Sequence, residues 1–78
     1  MGYSFEFSMK GFLYYESGSK TREEARSKLE GISKSHCNNS KSAVGKIFRL
    51  EPKKFSVLEE YKISLRGKEL IMKNLHKN

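Results

Sequence analysis

The sequence has one cysteine, Cys37, one proline, Pro52, and no tryptophan. A lone cysteine excludes an intrachain disulfide and fits a reducing compartment. No apolar run approaches the roughly 18 residues that a membrane-spanning helix requires. The opening residues show no charged-then-apolar leader. These absences predict a cytoplasmic protein with no membrane partner. His36 and Cys37 are adjacent and His76 is a third candidate, but a zinc site takes three or four ligands at recognisable spacings, so no metal is expected. The Cys-His pair has no orienting acid, which argues against a nucleophile. There is no glycine-rich phosphate loop and no pair of carboxylates in an obvious apolar pocket. The expectation is a non-enzymatic protein without a cofactor, folded as a single domain over residues 1–78.

What the chain does have is positive charge, and it is unevenly distributed. The formal net charge is +7. Residues 1–33 carry five basic and five acidic side chains, while residues 34–78 carry eleven basic and four acidic ones. The whole excess therefore lies in the C-terminal part. A basic half beside a neutral half is the footprint of a polyanionic partner, with nucleic acid the first candidate.

Several segments have a readable periodicity. In residues 3–16, Tyr3, Phe5, Phe7 and Met9 alternate as in a strand, with Lys10-Gly11 as a hairpin turn. Phe5, Met9, Phe12 and Leu13 also recur at helical spacing; the local pattern favours the hairpin, and only the wider order of elements turns the reading towards a first helix. Residues 16–20 read as a turn. Thr21 and Glu24 form a T-x-x-E capping box that opens a helix, with Glu23 and Glu24 at its positive end and Gly31 at its predicted C-cap. Ala25, Leu29 and Ile32 form its core-facing stripe. Residues 33–39 read as a polar connector, and Asn38, Asn39 and Ser40 are candidate caps for the next element.

Residues 40–51, S-K-S-A-V-G-K-I-F-R-L-E, carry the reading. At helical pitch, Ala43, Val44, Ile47, Phe48 and Leu50 share one arc, and Ser42, Lys46 and Arg49 share the opposite one. Pro52 ends the segment. The competing reading is a strand with Val44, Phe48 and Leu50 on one face, which Lys46 interrupts. Lys53 to Leu65 reads as two short strands joined at Leu58-Glu59-Glu60. A last helix is predicted with Leu65, Ile71, Met72 and Leu75 on one arc.

Helix, capped helix, turn, basic amphipathic helix, hairpin, helix is the order of a winged helix-turn-helix domain, and three segments resemble that family. T-R-E-E-A-R-S-K-L-E-G-I-S resembles its second helix and S-K-S-A-V-G-K-I-F-R-L-E its third. Y-K-I-S-L-R-G-K-E-L-I-M-K-N-L is similar to its second wing strand and closing helix. The pattern departs from the family where Pro52-Lys53-Lys54 replaces a glycine and where Glu59 and Glu60 occupy the wing tip.

The resemblance implies a mostly α fold with a small β-hairpin wing, and a sequence-specific double-stranded DNA-binding transcription regulator. Its third helix would lie in the major groove. On that reading Asn39, Ser40, Lys41, Ser42, Lys46 and Arg49 read bases. Lys53, Lys54, Lys62, Arg66 and Lys68 hold phosphates. Ile71, Met72 and Leu75 on the C-terminal helix pair two copies into a homodimer. Short basic domains of this style resemble regulators of archaeal viruses and plasmids, which implies a host cell's cytoplasm or nucleoid. The alternative is an α+β fold, a ββαββα sheet with one packed helix, whose role is that of a small protein-binding inhibitor or adaptor. A third function, sequence-neutral RNA or single-strand binding, would need exposed aromatics such as Tyr14 and Tyr15.

Overall fold

The aromatic alternation at the start of the chain forms a strand. A computed structural model describes residues 2–38 and 41–75. Strand β1 (Gly2–Met9) turns through Lys10-Gly11 into β2 (Phe12–Ser19). Gly11 takes the left-handed position of the turn at φ +81°, where a side chain would be strained. Helix α1 (Arg22–His36) follows, then β3 (Ala43–Glu51), β4 (Lys54–Arg66) and β5 (Glu69–Asn74). The strands form one antiparallel sheet in the order β2-β1-β3-β4-β5. The fold is α+β and mostly strand, so the mostly α winged helix-turn-helix expectation is corrected.

The segment 40–51 decides that correction. Its residues Ala43–Glu51 form β3, which lies between β1 and β4 at the centre of the sheet. Ala43, Gly45 and Ile47 face α1 and are buried, while Val44, Lys46, Phe48 and Leu50 point to the other face and are half-buried. A central strand carries apolar residues on both faces, and that near-continuous run is what imitated a helical arc. Lys46 does not break the strand, because its face meets solvent and its ladder neighbours are Glu6 and Glu60.

The other departures have similar causes. The turn expected at Leu58-Glu59-Glu60 is a β-bulge: Ile47 pairs with Glu59 and Phe48 with Val57, which leaves Leu58 as the extra residue. The last helix is a hairpin instead, because Gly67 at φ +63° turns β4 back into β5. The connector expected from residue 33 is the last turn of α1. Gly31 lies inside the helix, and the C-cap is Cys37, whose N–H donates to the Ser33 carbonyl at 2.9 Å.

Helix α1 has the predicted start. Thr21 Oγ1 accepts from the Glu24 N–H at 3.0 Å, and the Glu24 carboxylate accepts from the Lys20 N–H at 2.9 Å. The first closes an orphan donor of the first turn, and the second ties the residue before the cap to the helix. The buried stripe is Ala25, Leu29 and Ser33, and Ile32 is only partly buried. Ser33 is accommodated because its hydroxyl donates to the Leu29 carbonyl at 2.6 Å.

The core lies between α1 and the sheet, around Phe5, Phe7, Leu29, Ile47 and Ile63. It is tightly packed at Gly45. A Cβ there would come within 2.8 Å of both Ile63 Cδ1 and Leu29 Cδ2. Leu29 and Ile63 are themselves fully buried and have no solvent to move into. Gly45→Val is expected to cost about 3 kcal/mol and Gly45→Ala about 1 kcal/mol through overpacking. Gly31→Ala, exposed and mid-helix with nothing near its added methyl, is expected to stabilise by about 0.5–1 kcal/mol. Urea unfolding of the three variants checks the opposite signs.

Candidate nucleic-acid interface

Helix α1 covers one face of the sheet; among the described residues nothing covers the other. Strand alternation and ladder register define that open face row by row. Leu13, Ser8, Val44, Lys62 and Lys73 form one row from β2 to β5, and Tyr15, Glu6, Lys46 and Glu60 form the next. Phe48 follows, opposite Val57 and beside Ser4. The Tyr15 and Phe48 rings lie 6.3 Å apart. Leu13 is 66% exposed and Tyr15 45%. Ser4 is fully buried although it belongs to this face.

Cations gather at one end of this sheet. The Lys10-Gly11 turn, the C-terminus of α1, the segment entering β3 and the β4–β5 turn meet there. Strand direction places Lys10, Lys34, Lys41, Arg66 and Lys68 at that end, and Lys62 and Lys73 face each other across β4 and β5 just below it. Among the described residues of that end the acidic one is Glu69, opposite Arg66. A shallow cavity of about 220 Å³ is lined there by Met9, Lys10, Lys41 and Ser42.

This arrangement redistributes the residues expected to contact DNA. Ser42, Lys46 and Arg49 do not form one row. Lys46 is on the open face, Arg49 pairs with Tyr3 on the helix-side face, and Ser42 precedes the strand. Lys41 donates its N–H to the Asn38 carbonyl at 3.2 Å. Asn39 and Ser40 lie outside the described residues. A helix over residues 40–51 that enters the major groove is therefore ruled out as the contact. The expected phosphate set splits between two ends: Lys62, Arg66 and Lys68 at the cationic end, and Lys53 in the β3–β4 turn with Lys54 opening β4 at the other. The predicted dimerisation stripe is also divided. Met72 pairs with Ile63 on the helix-side face, Ile71 pairs with Ser64 on the open face, and Leu75 follows β5. The C-terminal helix that was to carry the stripe is replaced by this edge strand.

Glu59, read from sequence as a wing-tip residue that repels phosphate, is buried. Its carboxylate accepts from Arg26 Nε at 3.0 Å and Arg26 Nη2 at 2.6 Å, and also from Arg22 Nε and the Tyr61 hydroxyl. Burial raises its pKa, but the hydrogen bonds from Arg26, Tyr61 and Arg22 outweigh burial and bring it down to about 2. Tyr61 is shifted up, by burial first and then by Glu59, so it remains a phenol that donates. Two of the cations of the N-terminal half are thereby committed within the fold. Sequence reasoning missed this cluster. Its only signal was Arg22 and Arg26 at i, i+4 on a capped helix, which does not say where the partner carboxylate lies.

The remaining candidates are Cys37 and the two histidines. Cys37 is buried, and burial raises its thiol pKa. His36 is exposed and stacks on Phe12 with ring centroids 4.6 Å apart. No cluster of three metal-ligating side chains occurs among the described residues, and His76 lies outside them. No family model, curated protein or solved structure matches the chain. The fold and the distribution of its side chains therefore carry the functional argument.

The Glu59 cluster sets a pH dependence. A carboxyl at about 2 in the fold and near 4.3 when unfolded adds about 3 kcal/mol of stability at neutral pH. That contribution is complete above about pH 5 and is lost as the pH falls through about 2. Glu59→Gln is expected to be less stable than the parent by roughly that amount at pH 7, with the gap closing toward pH 2. Urea unfolding at a series of pH values measures it, and a gap independent of pH would contradict the assignment.

Proposed function

We propose that this protein binds nucleic acid on the open face of its sheet, with phosphates at the cationic end and bases against Tyr15 and Phe48. The observation that carries this reading is the gathering of Lys10, Lys41, Lys62, Arg66, Lys68 and Lys73 around one end, against Glu69. Such a surface attracts a phosphate backbone by counterion release and gives it a direction across the sheet. Tyr15 and Phe48 add π-faces on which unstacked bases can lie. A broad sheet face is too wide for a DNA groove, whereas a single strand can lie across it. The regulatory role expected from sequence is retained in coarser form, as binding of DNA or RNA that need not be paired.

A second reading, a protein-binding inhibitor or adaptor, is favoured by one specific observation. Leu13, Val57 and Leu75 are each more than 40% exposed, which suits the apolar centre of a protein interface.

Fluorescence anisotropy with labelled single-stranded DNA, double-stranded DNA and RNA separates the readings. Lys62→Ala combined with Lys68→Ala is expected to weaken single-strand binding about tenfold and to lower the salt slope by roughly 1–2. Lys53→Ala with Lys54→Ala, at the opposite end, is expected to leave both nearly unchanged. Tyr15→Ala is expected to cost about 1–3 kcal/mol of affinity with little change in salt slope. Equal losses from the two lysine pairs, or no binding to any of the three at low salt, would count for the protein-partner reading.

A further inference from the structure

We propose that a second copy of this chain pairs antiparallel with the outer edge of β2, joining the two sheets into one across a two-fold axis. Strand β2 is an edge of the sheet, with β1 on one side. Native edge strands are commonly protected by lysine, proline, a bulge or short length. From Phe12 to Tyr15, β2 has none of these: the sequence F-L-Y-Y holds no charge and no proline, and the register shift lies further on, between Tyr3 and Phe5 of its partner strand. Phe12, Leu13, Tyr14 and Tyr15 are all exposed there. The opposite edge is protected. Strand β5 is shorter, carries Glu69 and Lys73, and follows Lys68.

Charge decides the occupant. Two copies of a +7 chain repel wherever their cationic ends meet, and β2 is the edge remote from β4 and β5. Residues 1–33 have no net charge. The single ionised group of β2, Glu16, is held by Lys28 Nζ at 3.0 Å. Edge-to-edge approach through β2 therefore keeps like charges apart. The strand is also self-complementary. With the axis at Tyr14, the Leu13 of each copy faces Tyr15 of the other on the open side, an aromatic–aliphatic pair of the kind that stabilises ladders. An axis perpendicular to the sheet leaves both open faces on one side, with their cationic ends pointing in opposite directions. This inference does not depend on the proposed nucleic-acid role.

Sedimentation equilibrium of the full chain across about 1–100 μM is expected to show a monomer–dimer equilibrium. Added salt should tighten it by screening the repulsion between copies. Leu13→Lys is expected to weaken the dimer about tenfold, since both symmetry-related pairs lose their contact. Ile71→Lys, on the other edge, is expected to leave it unchanged. Amide protection of residues 12–16 in the parent protein should rise with protein concentration, a readout that does not depend on how any variant folds. A monomer at every concentration, concentration-independent protection of β2, or a dimer sensitive to Ile71→Lys and indifferent to Leu13→Lys would each overturn the proposal.

Discussion

The ion cluster around Glu59 ties the helix to the sheet by charge where the apolar contacts end. Apolar burial holds α1 over β1 and β3 through Ala25 and Leu29, with Leu29 seated close against Gly45. Arg22 and Arg26, one turn apart on α1, close on a single carboxylate of β4, and a two-armed contact of that kind has little rotational freedom. The bulge at Leu58 belongs to the same device, because the register shift falls between Glu59 and Val57. The carboxylate is dry while both guanidinium groups keep part of their hydration. The desolvation cost is thus borne mainly by one ion, which is the arrangement in which a buried pair still stabilises.

Fixing the helix on one face determines what the other face can be. One helix of this length cannot cover both sides of a sheet of five strands, so half of the strand residues meet solvent. The chain fills that half with a mixture. Glu6, Lys46 and Glu60 alternate in sign across three strands, a pattern that keeps a sheet face soluble. Beside them Tyr15, Phe48 and Val44 supply apolar area, and Lys62 and Lys73 stand opposite each other on neighbouring strands. Directly opposed like charges cost stability in an isolated sheet. Such a pair is consistent with a surface whose charge serves a partner rather than the fold.

The sequence made some elements legible and disguised others, for reasons that can be named. Helix α1 was readable because its start depends on local chemistry: Thr21 and Glu24 act within one turn, whatever the tertiary context. The β1–β2 hairpin was present in the local signal, in the alternation of Tyr3, Phe5, Phe7 and Met9 and in Lys10-Gly11. A resemblance at longer range overrode it. Strand β3 was disguised because Val44, Phe48 and Leu50 put apolar residues on its open face as well as on its buried one, which blurs the period of two. Residues 65–75 misled because Leu65, Ile71, Met72 and Leu75 fit a helical arc, while Gly67 was read as a tolerated glycine rather than as the turn. At the site, the asymmetry of charge was legible from counting alone. Its placement was not, because Lys10 and Lys41 converge only after the crossover through α1 brings the two turns to the same end.

That crossover also explains why the neutral and basic halves of the sequence become separate surfaces. The chain makes β1 and β2 first, crosses over β1 through α1, and then adds β3, β4 and β5 outward on the far side. Sequence order is thereby converted into lateral position. The N-terminal residues, with no net charge, form one edge of the sheet and its apolar border, and the C-terminal, basic residues form the other edge with its turn. Glu16 and Glu24 of the neutral half meet Lys28, and Glu59 of the basic half meets Arg22 and Arg26, so three of the helix cations are matched inside the fold. The surplus is left to β3, β4, β5 and their turns. A sheet with a neutral edge and a charged edge can associate through one while a polyanion occupies the other, because the repulsion that opposes association is concentrated where the polyanion would neutralise it.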